Sequence, residues 1–156
     1  MIYKDLDLAL QRENFQDRIL GLDLGTKTIG ISLSDSSRLI ASPFDTIIRK
    51  KTSLDIDQII RICTEFNISG LILGYPLNMN SSEGVRVQST ISFAKEVEKK
   101  TRIPIILWDE RLSTSAAEKI LISADVSREK RKKLIDKMAA TYILQGALDR
   151  INFIGI

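Results

Sequence analysis

Histidine is absent from all 156 residues. Its absence excludes Ser-His-Asp and Cys-His machinery and His-ligated zinc. Any catalysis has to be built from carboxylates, lysine, hydroxyls or metal-bound water, and carboxylate oxygens suit magnesium or manganese. Cysteine is nearly absent as well. Cys63 stands alone, so the chain has neither an internal disulfide nor a Cys-x-x-Cys pair for zinc. It lies in an apolar stretch and reads as a small core side chain. Aromatic residues make up 6% of the chain, which does not suggest a platform for stacking single-stranded bases. No apolar run reaches the roughly 18 to 20 residues that span a bilayer. The N-terminal stretch MIYKDLDLALQRENFQDR alternates charge with apolar residues and has no signal-peptide core. A cytoplasmic protein with no membrane partner is expected. Repeats, low-complexity segments and Gly/Ser/Pro linkers are also missing. One domain over residues 1–156 is expected, with residues 1–17 as an N-terminal extension.

What is present is mildly basic: net charge +3 and a pI near 9.0. The basic residues are grouped. Arg49, Lys50 and Lys51 form one cluster, and Arg128, Lys130, Arg131, Lys132 and Lys133 a denser one. Each is either a solvated surface or a phosphate-binding surface. The second falls at an expected helix N-terminus, where cations oppose the dipole. That local cost points toward a functional reason.

Alternating strands and helices follow from the apolar pattern. Residues 18–24 (RILGLDL) read as a buried strand and residues 28–34 (TIGISLS) alternate with period two, so the two pair antiparallel across Gly25, Thr26 and Lys27. A third strand is expected over 39–48, interrupted near Pro43. Thr52 and Asp55 resemble a capping box opening a helix over 53–66. A strand over 70–74, a polar loop over 75–82, and an amphipathic helix through Val87, Ile91, Ala94 and Val97 come next. A strand over 103–108, a helix over 113–123 and a long helix over 129–151 complete the chain. The expectation is an α/β fold: a mixed five-stranded sheet, antiparallel meander plus parallel strands, flanked by helices. Ligands gather beyond the carboxyl ends of parallel strands in such sheets.

Three acids stand out against that framework. Asp23 ends the first long strand inside an apolar run, where a carboxylate is costly unless paired or metal-bound; the alternative is a turn aspartate accepting backbone amides. Asp109 and Glu110 follow the strand over 103–108. Alternation sends them to opposite faces, so one can serve a site while the other caps the next helix. Asp136 lies beside core positions of the last helix, and either serves the site or pairs with Lys132 or Lys133. Asp23, Glu110 and Asp136 make a plausible oxygen cage, able to hold two cations about 4 Å apart without any histidine base. Thr26 and Lys27 are placed to contact phosphate, although turn chemistry also explains them. Arg111 either clamps a phosphate or pairs with a neighbouring acid.

Four segments in order, GLDLGTKTIG (21–30), GYPLNM (74–79), DERLST (109–114) and DKMAATYIL (136–144), resemble the YqgF family. These proteins are related in fold to RuvC-type Holliday-junction resolvases and are described as pre-16S ribosomal RNA nucleases of 5′-end maturation. The resemblance covers residues 19–149. It implies an RNase H-like fold with Asp23, Glu110 and Asp136 as the acidic triad. With that triad, magnesium or manganese is the expected metal, and phosphate contacts are expected from Thr26, Lys27, Arg111, Arg128, Arg131 and Lys132. Two positions depart from the pattern: Asn80-Ser81 replaces Asp-Gly in the central loop, and Ala139 stands where resolvases carry a second acid. The implied function is metal-dependent phosphodiester hydrolysis on structured RNA, with pre-16S rRNA as substrate and a monomer or homodimer as the acting form. Alternatives are a resolvase acting on branched DNA, for which a symmetric dimer would suit the junction, and a non-catalytic RNA-binding assembly factor. A kinase-like ATPase built on Asp23-Leu24-Gly25-Thr26 would need a second domain that this length does not provide.

Overall fold

The computed structural model describes residues 1–75, 85–109 and 127–154, with the side chains of 85, 128, 129, 131–136 and 154 outside the description. In chain order the elements are β1 (Ile2–Tyr3), α1 (Leu6–Arg12), β2 (Ile19–Leu24), β3 (Thr28–Ser34), β4 (Ala41–Ile48), α2 (Thr52–Glu65), β5 (Gly70–Tyr75), α3 (Val85–Lys100), β6 (Ile105–Asp109) and α4 (Arg128–Ile154). The helix expected over 113–123 lies outside the described residues.

The described strands form one six-stranded sheet in the order β1-β6-β5-β2-β3-β4. The meander is as expected: β2 pairs antiparallel with β3, and β3 with β4. β5 and β6 add parallel to β2. The expected count of five is corrected by β1, whose Ile2 and Tyr3 pair parallel with Ile105 and Ile106. Two residues carry no readable period. Their strand exists because β6 offers an open edge.

Two other local expectations are corrected. β4 begins at Ala41 rather than Leu39, because the amides of Leu39 and Ile40 both donate to Asp35 Oδ1, at 2.8 and 3.0 Å. Those bonds close a turn in which Arg38 takes a φ of 59°. The capping box at Thr52 does not form. The cap residue of α2 is Lys51, with no side-chain bond, and Asp55 instead accepts the Lys50 amide at 3.1 Å.

Period-two alternation divides the strands between two cores. Leu20, Leu22, Leu24, Ile29, Ile31, Leu71, Leu73, Ile105 and Leu107 pack with Ile56, Ile59, Cys63, Phe93 and Val97 of α2 and α3. Burial pushes the Cys63 thiol up to about 12, so it stays protonated and inert at neutral pH. On the other face, Ile19, Ile72 and Ile106 pack with Ile143, Leu144, Ala147 and Leu148 of α4 and with Tyr3, Leu6 and Phe15 of the N-terminal extension. Gly70 permits that last contact, since a Cβ there would lie 2.6 Å from the Phe15 ring.

Candidate functional site

On β2, the odd positions Ile19, Gly21 and Asp23 alternate onto the α4 face, opposite Leu20, Leu22 and Leu24. α4 seats directly on Gly21: a Cβ there would lie 2.7 Å from Leu144 Cβ and 3.0 Å from the Ala140 carbonyl. Ser32, which pairs with Gly21 across the ladder, donates its hydroxyl to that same carbonyl at 2.7 Å. Ala41, which pairs with Ser34, donates its amide to Gln145 Oε1 at 2.8 Å. Moving from Ser32 to Ser34 therefore moves from Ala140 to Gln145. α4 runs alongside β3 and antiparallel to β2, so its amino-terminal turns approach the carboxyl end of β2. Asp23 sits at that end, 9% exposed. Asp136 lies one helical turn before Ala140 on the same helix.

The turn after Asp23 is held from behind. Gly25 donates its amide to the Thr28 carbonyl at 2.8 Å, and the Arg49 amide donates to the Lys27 carbonyl at 2.9 Å. Two guanidinium groups take further carbonyls: Arg49 Nη1 donates to Gly25 O at 2.9 Å and Arg86 Nη2 to Leu24 O at 3.2 Å. The side chains of Thr26 and Lys27 are left exposed. Sequence reasoning missed this role for Arg49 and Arg86. Arg49 was visible only as part of a basic cluster, and Arg86 stands apart from the other cations of α3, Lys95, Lys99 and Lys100.

At the neighbouring strand end, Ile106 and Trp108 face α4, while Asp109 is exposed and level with Tyr75 of β5. Glu110 and Arg111 lie outside the described residues. Arg128, Arg131, Lys132 and Asp136 belong to the first turns of α4, with their side chains outside the description; Lys130 beside them is exposed. Among the described residues, no group of three acidic, histidine or cysteine side chains is close enough to hold a metal ion. Of the expected triad, only the side chain of Asp23 is among the described ones. Ala139 is fully buried, so the position that carries an acid in resolvases here packs into the core.

The family described as "RuvX: Holliday junction resolvase" matches residues 17–150. The chain belongs to the RuvX family. The YqgF resemblance is thereby upheld, and the RuvX match begins after β1 and α1. Relatives named "Putative pre-16S rRNA nuclease" include one from Rhodobacter capsulatus, 53% identical over 137 residues (88% of this chain, 86% of the relative). Another, from Paracoccus denitrificans, is 52% identical over 137 residues (88% and 87%). Among solved structures, T. thermophilus RuvC in complex with Holliday junction substrate aligns with a TM-score of 0.53 at 11% identity, covering 86% of this chain and 96% of that one. The Fowlpox virus resolvase in complex with substrate Holliday junction DNA aligns at 0.52 and 15% identity, covering 86% and 98%. At these identities the likeness shows the fold: this RuvX chain has the RNase H-like architecture of the RuvC-type resolvases.

Proposed function

We propose that this chain is a metal-dependent nuclease that hydrolyses phosphodiester bonds, acting in 5′-end processing of pre-16S rRNA in the cytoplasm. The carrying observation is the buried carboxylate of Asp23 at the carboxyl end of β2, on the face along which α4 brings the turn bearing Asp136. The names of the RuvX relatives support the substrate.

The donor chemistry fits magnesium or manganese. Asp23 is an oxygen donor held nearly out of solvent, and neither histidine nor a reactive thiol competes for the ion. Asp23, Glu110 and Asp136 would be its ligands. Such an ion, when bound, supplies an activated water at neutral pH and charge stabilisation for the departing oxygen. Asp23 is fixed by the β2–β3 ladder, opposite Gly30. Thr26 and Lys27 reach toward phosphate from a turn in which the Leu24, Gly25, Lys27 and Thr28 carbonyls are already occupied. Arg111 neutralises phosphate charge, and Arg128, Arg131 and Lys132 give salt-sensitive affinity for the backbone.

A second reading, cleavage of branched DNA, draws on the RuvX description and on the resolvase fold. One experiment separates the two. A labelled pre-16S rRNA fragment and a four-way DNA junction are each incubated with magnesium or manganese and either the wild-type protein or Asp23→Asn. The expected outcome is metal-dependent cutting of the RNA that disappears in the variant while its circular dichroism is unchanged. Cutting of the junction alone would move the assignment to resolvase. Full activity in Asp23→Asn would remove Asp23 from the site, and RNA binding without cutting would favour an assembly factor.

A further inference from the structure

We infer that the chain has a second phosphate-binding cleft, on the sheet face opposite α4, that takes a backbone phosphate of the nucleic-acid strand beyond the scissile position. The identity of the strand rests on the nuclease reading; the cleft itself rests on its own residues. It opens where the β2–β3 turn meets the first turns of α2 and α3. Two adjoining cavities, of about 60 and about 520 Å³, share Arg49 and Ser89 in their walls. Side-chain donors in those walls include Thr26, Arg49, Thr52, Arg86, Gln88 and Ser89. The larger cavity has the size of a small-ligand pocket.

Arg49 is the anchor, and its charge is held in place. Nη1 donates to Gly25 O at 2.9 Å and Nε faces Asp55 Oδ2 at 3.7 Å. Asp55 is 2% exposed, and no hydrogen bond reaches that oxygen among the described residues. The guanidinium lies over the Phe93 ring, 5.9 Å from its centroid. A guanidinium has five N–H donors. The bonds Arg49 makes to Gly25 and, at 3.5 Å, to Thr52 leave donors free, and its side chain keeps 21% of its surface open. Arg86 uses Nη2 on Leu24 O and is otherwise exposed. The acid in the wall, Glu96, is half-exposed and already paired with Lys99 at 3.2 Å. Two arginines, one partly balanced by a buried acid, thus meet hydroxyl and amide donors. That set recognises phosphate without reading bases. Its place fits the path: the cleft starts at Leu24 and Gly25, directly after Asp23, so a strand passing Asp23 and crossing the turn arrives there.

The test uses exposed positions in the first turns of α3, where an acid is favourable to the helix. Gln88→Glu/Ser89→Glu is compared with Gln11→Glu/Gln16→Glu, which makes the same change in net charge at exposed positions outside the cleft. Binding of labelled pre-16S rRNA fragment and of four-way DNA junction is followed by fluorescence anisotropy in EDTA over a range of salt. The cleft variant is expected to lose about tenfold in affinity for both probes and to flatten the slope of log affinity against log salt by roughly one phosphate. The control is expected to match wild type. Equal losses in both variants, or none in either, would overturn the cleft. Because binding is read without metal, an inactive wild-type protein that still shows the selective loss would sink the nuclease reading and leave the cleft standing.

Discussion

A methyl group on Gly21 would press on the Ser32 hydroxyl, Leu144 Cβ and the Ala140 carbonyl at once. None of these is the free end of a flexible chain, so α4 has to move. Gly21→Ala is expected to destabilise the protein by about 1–3 kcal/mol, the usual range for overpacking, as a lower urea midpoint. Cleavage is expected to fall further than the unfolded fraction explains, because α4 also carries Asp136. An unchanged midpoint would show that α4 does not seat on Gly21. At this scale the sequence was partly legible. Asp23 stood out as an acid in an apolar strand, and Cys63 as a core residue. Asp55 did not stand out, because a buried acid in the first turn of a helix looks like a cap. Its true partners, the Lys50 amide and the Arg49 guanidinium, come from the chain's approach to the helix.

The N-terminal extension shows how weak elements become structure. A strand of two residues and a helix of seven are too short to persist in water alone. They persist because Tyr3, Leu6, Ala9 and Phe15 are buried against Ile19, Ile72, Ile106 and α4. Arg150 adds a tie to Asp7 at 2.9 Å, exposed and therefore of small energetic weight. Leu6→Ala is expected to cost about 3 kcal/mol, within the range for buried leucine truncations. Thermal unfolding would measure the loss, while RNA affinity at a temperature where both proteins are folded should not change. A variant as stable as wild type would mean that the extension is not part of the core. The meander and the parallel strands were legible because their alternation is long enough to count. The extension was not, because its pairing depends on an edge formed by residues over a hundred positions away.

Across the whole molecule, the described residues proposed for chemistry, Asp23, Thr26 and Lys27, lie at the end of the sheet where β2 presents its carboxyl end. A bound ion there stabilises only the folded state. Manganese at about a hundred times its dissociation constant is expected to add about 2.7 kcal/mol to stability, read as a rise in melting temperature that EDTA reverses and that Asp23→Asn lacks. The same rise in the variant would place the ion elsewhere.

The sequence by itself determined the strand faces, since period-two alternation is a local property of each segment. It also pointed to the proposed chemistry, since a chain without histidine has carboxylates left for metal work, and it determined the family through four motifs in order. Tertiary structure alone decided the sixth strand, the antiparallel run of α4 over β2, and the bracing of the turn after Asp23. Arg49 reaches Gly25 across 24 positions, Arg86 reaches Leu24 across 62, and Ser32 reaches Ala140 across 108. Such contacts are made by the docking of whole elements, which no local period encodes.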